Sequence, residues 1–183
     1  WVDRFFSLYK DEGLVSRGRE EFDRAFYASD DNLAKRFKLA GLDLEQTLAL
    51  QARCVLETLA PAGLEPASPE PPAVLLPAEG TDRHTRGGHR GGDRHEYDDA
   101  EHLAATIGGP GKRVVTRFLD DCRRHFHRNR PILERLRRRF RLGIVSNFYG
   151  NLDSVLDGEG LLELFATVSD SGAVGAEKPD PAI

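Results

Sequence analysis

The chain has no methionine, one tryptophan and only two cysteines in 183 residues. Each shortage excludes something. Cys54 and Cys122 are isolated, and each lies on an apolar stripe with helical spacing. They form neither a disulfide framework nor a zinc pattern, and they read as small core residues in a reducing compartment rather than as nucleophiles. No apolar run approaches the roughly 20 residues needed to cross a bilayer, and no signal-peptide pattern opens the chain. The expectation is a soluble, cytoplasmic protein with no membrane partner. Without methionine, Trp1 is not a natural start, and the sequence stops inside a motif. An internal piece of a longer protein is therefore expected.

Hydrophobic residues make up 39% of the chain and include ten phenylalanines, enough for a folded core. The net charge of −4 conceals an asymmetry. Residues 111–141 carry 12 basic and 3 acidic side chains, whereas residues 142–183 carry 1 and 7.

Periodicity predicts a helical first third. Val2, Phe5, Phe6 and Tyr9 share one face, and Gly13 closes that helix. Phe22, Ala25 and Phe26 repeat the pattern. Ser29 is expected to cap a short helix through Leu33 and Phe37 that ends at Gly41. Asp43 and Gln46 have capping-box spacing and open a helix striped by Leu44, Leu48, Ala52, Val55 and Leu59. Residues 1–60 thus read as a bundle of four helices.

Residues 61–111 break the pattern. Five prolines between Pro66 and Pro77 precede a Gly-, Arg- and His-rich run. This composition reads as a linker, a disordered insertion or a stretch in the wrong reading frame. Four histidines, His84, His89, His95 and His102, fall here or close by, but their spacing fits no metal-ligand pattern.

Order returns at Val114. Val115, Phe118, Leu119, Cys122 and Phe126 form one helical face. Pro131 is expected to start a second helix with Ile132, Leu133, Leu136 and Phe140 inward. Leu142 to Val145 reads as a strand buried in a parallel sheet. Asn151 to Leu156 is expected to be helical, Phe165 to Ser169 a strand, and Asp180 to begin another helix. The alternation predicts an α/β half with a parallel sheet.

Ligands of such sheets sit beyond the carboxyl ends of the strands. Ser146 and Asn147 follow the first strand directly, and Lys178 lies in a proline-stiffened turn after the second. A hydroxyl, backbone amides and an ammonium on one rim suit a phosphoryl group, whose oxygens need donors and whose charge needs a cation.

Ile144-Val145-Ser146-Asn147 followed by Gly175-Ala176-Glu177-Lys178-Pro179-Asp180-Pro181 resembles the second and third motifs of the haloacid dehalogenase-like (HAD) hydrolase superfamily. The resemblance implies a Rossmann-like parallel-sheet core, here incomplete, with residues 1–60 as an α-helical cap and residues 112–183 as part of the core. It implies that Ser146 and Lys178 are catalytic and that Ser146 and Asn147 bind the phosphoryl group. The implied activity is a Mg²⁺-dependent phosphatase acting on a small phosphorylated metabolite through an aspartyl-phosphate. A 2-haloacid dehalogenase-type hydrolase and a non-catalytic fragment or pseudoenzyme are the alternatives. The family's nucleophilic aspartate would precede Trp1, and its Mg²⁺-binding acidic pair would follow Ile183. Asp30-Asp31, Asp98-Asp99 and Asp120-Asp121 are not expected to substitute for them, so no metal ligand is assigned within the chain.

Nine arginines between Arg123 and Arg141 raise the question of nucleic acid. They alternate with an apolar stripe and few aromatics, so a solvated helix face is expected and no nucleic-acid partner. Incubated with a generic phosphate ester and Mg²⁺, the chain alone is expected to give no turnover above background. Robust metal-dependent hydrolysis by the pure protein would overturn the roles assigned above.

Overall fold

The computed structural model describes residues 1–16, 18–59, 104 and 107–183. Most of the histidine-bearing stretch and the proline-rich run lie outside the described residues. Among the described residues of the first third there are three helices, not four: α1 (Val2–Asp11), α2 (Arg19–Arg36) and α3 (Leu44–Leu59). Ser29 caps nothing. It is buried within α2, because Phe22, Ala25, Phe26 and Leu33 keep helical spacing through it and no glycine or proline interrupts the run. Gly13 does close α1. It adopts φ 71°, and the following Leu14 N–H returns to the Tyr9 carbonyl at 2.9 Å.

The capping box at the start of α3 forms as expected. Asp43 Oδ1 accepts from the Gln46 N–H at 2.8 Å, and Gln46 Oε1 accepts from the Asp43 N–H at 2.9 Å. Both helix-start donors are satisfied locally, so the sequence alone carried the signal.

The helix α4 (Gly109–Arg137), 29 residues, is the longest among the described residues. It does not restart at Pro131, which sits inside it. A proline in a helix interior costs about 3 kcal/mol through its missing donor and its ring clash. Packing on both sides offsets that cost, with Phe126 before it and Leu133 after it in one apolar cluster. Arg130 adds a tether, donating to the Gly160 carbonyl at 2.6 Å and pairing with Glu134 and Glu163. The expected inward row is only partly inward. Leu133 packs, whereas Ile132, Leu136 and Phe140 are exposed.

Beyond α4 come β1 (Gly143–Ser146), α5 (Leu152–Gly158), a 3-10 turn (Leu162–Leu164), β2 (Thr167–Asp170) and the single-turn α6 (Ser171–Val174). The strands are parallel, with Ser146 opposite Asp170. Among the described residues the chain is thus mostly helical, with one two-stranded parallel sheet. The strands are not buried on both faces. Alternation turns Ile144 and Val168 onto the α4–α5 cluster and leaves Val145 50% exposed. No helix starts at Asp180. Turns occupy this stretch instead, with the Asp180 N–H bonded to the Glu177 carbonyl at 2.7 Å. Among the described residues no helix is long and apolar enough to cross a membrane.

Two apolar clusters meet on α4. Its first half packs Val114, Val115, Phe118, Leu119 and Cys122 against α1, α2 and α3. Phe5 stacks on Phe118 with ring centroids 3.9 Å apart, and Tyr9 donates to the Ala52 carbonyl at 3.2 Å. Its second half carries the sheet through Phe126 and Leu133. Of the arginines on the outer face, Arg123 pairs with Glu159, Arg124 with Asp121, and Arg130 with Glu134 and Glu163. Such exposed pairs contribute at most about 1 kcal/mol each. The aromatic stack matters more. Phe118→Ala is expected to lower unfolding free energy by about 3–5 kcal/mol in urea denaturation followed by circular dichroism. Asp43→Ala should cost about 0.5–2 kcal/mol by the same measurement.

Candidate functional site at the strand ends

Because β1 and β2 run parallel and in register, both carboxyl ends open on one edge. The loops leaving them are tied together chiefly by Asp170, which is 6% exposed. Its Oδ2 accepts from the Gly150 and Leu152 N–H groups, each at 2.9 Å, and its Oδ1 from the Gly172 N–H at 3.0 Å. One carboxylate thereby closes the β1 exit loop, opens α5 and caps α6. Ser171 reinforces the join. Its hydroxyl donates to the Phe148 carbonyl at 3.0 Å and lies 3.0 Å from the Phe148 N–H.

The backbones touch at Gly172. A Cβ there would lie 2.5 Å from both the Gly150 nitrogen and the Tyr149 carbonyl carbon, so only glycine fits without parting the loops.

On this platform the residues expected from sequence take distinct positions. Asn147 and Lys178, thirty-one positions apart, clasp each other: Asn147 Oδ1 accepts from the Lys178 N–H at 2.8 Å, and Asn147 Nδ2 donates to the Lys178 carbonyl at 3.5 Å. The exposed Lys178 ammonium turns back to the strand and donates to the Val145 carbonyl at 3.0 Å. Ser146 ends β1, half-buried, and among the described residues its hydroxyl has no hydrogen-bond partner. Asn147 and Lys178 are joined directly, whereas Ser146 is next to Asn147 in the chain and among the described residues makes no hydrogen bond to Lys178.

A cleft of about 540 Å³ opens beside this edge, between α2 and the loops from Asn147 to Tyr149 and from Ser171 to Glu177. At its wall Tyr149 donates its hydroxyl to Asp30, and Gln51 Nε2 reaches Asp30 Oδ1 at 3.2 Å and the Tyr149 oxygen at 3.4 Å. Burial first, and the Asp30 carboxylate second, push the Tyr149 phenol well above its ordinary range. It therefore stays a protonated donor near neutral pH. This group joins α2 and α3 to the β1 exit loop.

Sequence reasoning passed over Asp170, Ser171, Gly172 and the Asp30–Gln51–Tyr149 group. Asp170 had a signal, an aspartate at a strand end two residues before a glycine, which is N-cap chemistry. The Tyr149 group had none, since its members are joined only by the fold.

Asp30 is bonded to Tyr149 and Gln51, Asp121 pairs with Arg4 and Arg124 on the outside of α4, and Asp98-Asp99 lies outside the described residues. Among the described residues no group of three His, Cys, Asp or Glu side chains is placed to hold a metal. Asp170, the buried carboxylate at the edge, is aimed at three amides. The described residues therefore do not by themselves fit Mg²⁺, and no chemistry is assigned to a metal. Cys122 is no nucleophile at neutral pH, because burial, with Glu159 adding, pushes its thiol up to about 11. Burial likewise raises Cys54, although Arg36 opposes it.

No family model, no curated protein and no solved structure matches the chain.

Asp170→Asn would aim an amide donor at backbone donors and is expected to cost at least about 1–3 kcal/mol. Gly172→Ala should destabilise the protein and quench the protection of the Gly150 and Leu152 amides in hydrogen exchange. Unchanged protection in Gly172→Ala would mean that the loops do not depend on their backbone contact.

Proposed function

We propose that the chain carries the phosphoryl-holding part of a HAD-like hydrolase site and that the parent reaction is hydrolysis of a small phosphorylated metabolite. What supports this reading is the clasp between Asn147 and Lys178 beside a hydroxyl, that of Ser146, with no partner among the described residues. On this reading α1 to α3 are the helical cap, and the part from about residue 112 onward belongs to a Rossmann-like core. The partner is a small phosphorylated molecule in the cytoplasm, not a nucleic acid.

The roles follow from chemistry. The Ser146 hydroxyl donates to a phosphoryl oxygen. The Lys178 ammonium exchanges its bond to the Val145 carbonyl for a charge-assisted bond to the phosphoryl group and offsets negative charge there. Asn147 holds the lysine's backbone, so it fixes where that charge stands. The Asp170 carboxylate is engaged by amides and serves as scaffold rather than nucleophile.

The test is binding of inorganic phosphate by isothermal titration calorimetry at low ionic strength. Lys178→Ala is expected to weaken it about tenfold to a hundredfold, the equivalent of one charge-assisted bond. Ser146→Ala should weaken it about threefold to tenfold, as loss of a neutral hydrogen bond would. Equal affinity in all three proteins would sink the reading.

A further inference from the structure

We propose that the second half of α4 is a docking surface for an anionic lipid bilayer, on which it lies without crossing. The inference stands apart from the phosphate reading above.

The face left uncovered there is apolar. Ile132, Leu136 and Phe140 are 47%, 38% and 60% exposed. They stand at i, i+4 and i+8, on one side of a helix. Phe140 lies just past α4, but its N–H donates to the Leu136 carbonyl at 2.9 Å, so the row continues in helical register. Every residue from Glu134 to Arg141 is exposed. The row therefore forms a ridge with no second wall beside it.

The charge around this ridge has one sign. Arg128, Arg135, Arg137, Arg138, Arg139 and Arg141 are exposed, and among the described residues none has an ion pair. Glu134 is the sole acidic residue between Asp121 and Asp153, and Arg130 occupies it. At about 100° per residue the apolar row spans roughly 80° of the helix surface. Arg128, Arg135 and Arg139 then lie within about 60° on one side of the row, and Arg137 about 60° away on the other.

A solvated helix face accounts for the arginines but not for three uncovered apolar side chains in register among them. A second copy is a poor cover, because row against row brings arginine against arginine. An acidic protein would need a groove shaped to the ridge. A bilayer yields to a ridge. Its headgroup boundary takes the apolar row, and its anionic phosphates take guanidinium groups carried outward on apolar stems.

The test is co-sedimentation of the full chain with vesicles, either of phosphatidylcholine alone or with about 30 mol% phosphatidylserine, at low ionic strength. Binding is expected at least about tenfold tighter to the serine lipid, with most of that preference lost in about 0.5 M NaCl. Arg135→Gln with Arg139→Gln should weaken it about twentyfold, or about fivefold per arginine. Phe140→Ser should weaken it about threefold to tenfold, since the apolar row contributes alongside the charge. All three side chains are exposed, so the fold should hold, as circular dichroism of the variants would record. Poly-glutamate and a duplex oligonucleotide serve as soluble polyanions, expected to bind more weakly and to be indifferent to Phe140→Ser. Equal binding to the two vesicles, or binding to neither, overturns the proposal. So does a polyanion that binds as tightly as the serine-lipid vesicles while Phe140→Ser changes neither.

Discussion

The strand-end edge depends on one buried carboxylate. Asp170 receives three backbone amides from two loops, and without it the Gly150 and Leu152 donors of the β1 exit would be unsatisfied, while the Gly172 N–H would keep only the Phe148 carbonyl. An apolar residue there would leave the Gly150 and Leu152 N–H groups without an acceptor and the Gly172 N–H with the Phe148 carbonyl alone, a penalty larger than that of an ordinary surface change. The Gly172 contact follows from this arrangement. Three amides can converge on one side chain only if the loops approach to backbone distance, and only a residue without a Cβ allows it.

The clasp of Asn147 and Lys178 is built on that join. Asn147 stands one residue beyond β1, and its partner lies beyond β2 and α6, so their meeting is set by the sheet register and by the closeness of the two loops. The helical layer reaches the same place by another route. Tyr149, two residues beyond Asn147, inserts between α2 and α3 and shares Asp30 with Gln51. One short loop therefore answers to the sheet on one side and to the helices on the other.

The parts of the fold that were legible in the sequence are those whose causes are local. The Asp43–Gln46 box, the Gly13 terminus and the apolar face of α1 each rest on side chains within a few positions of one another. Both strands were visible as short apolar or β-branched runs, and Ser146, Asn147 and Lys178 could be placed on one edge from the order of the elements. The misreadings came where local chemistry is outvoted. Ser29 has the right residue type for a cap, yet the apolar stripe carries α2 through it. Pro131 has the right type for a helix start, yet packing at Phe126 and Leu133 and the Arg130 tether keep α4 continuous. At Asp180 the prolines signalled a helix start, but turns occupy this stretch. Asp170 contacts residues eighteen and twenty positions away, a distance at which no spacing rule operates.

The continuity of α4 has a thermodynamic consequence. The cluster beneath the first three helices and the cluster beneath the sheet draw side chains from the same helix, about 43 Å long at the usual rise per residue. Neither apolar face of that helix is stable in water alone, because most helical stability comes from what covers it. Losing one cluster strips half of α4, and fraying of that half exposes the residues nearest the other. The two clusters therefore belong to one cooperative unit, and heat or denaturant meets a single transition rather than two.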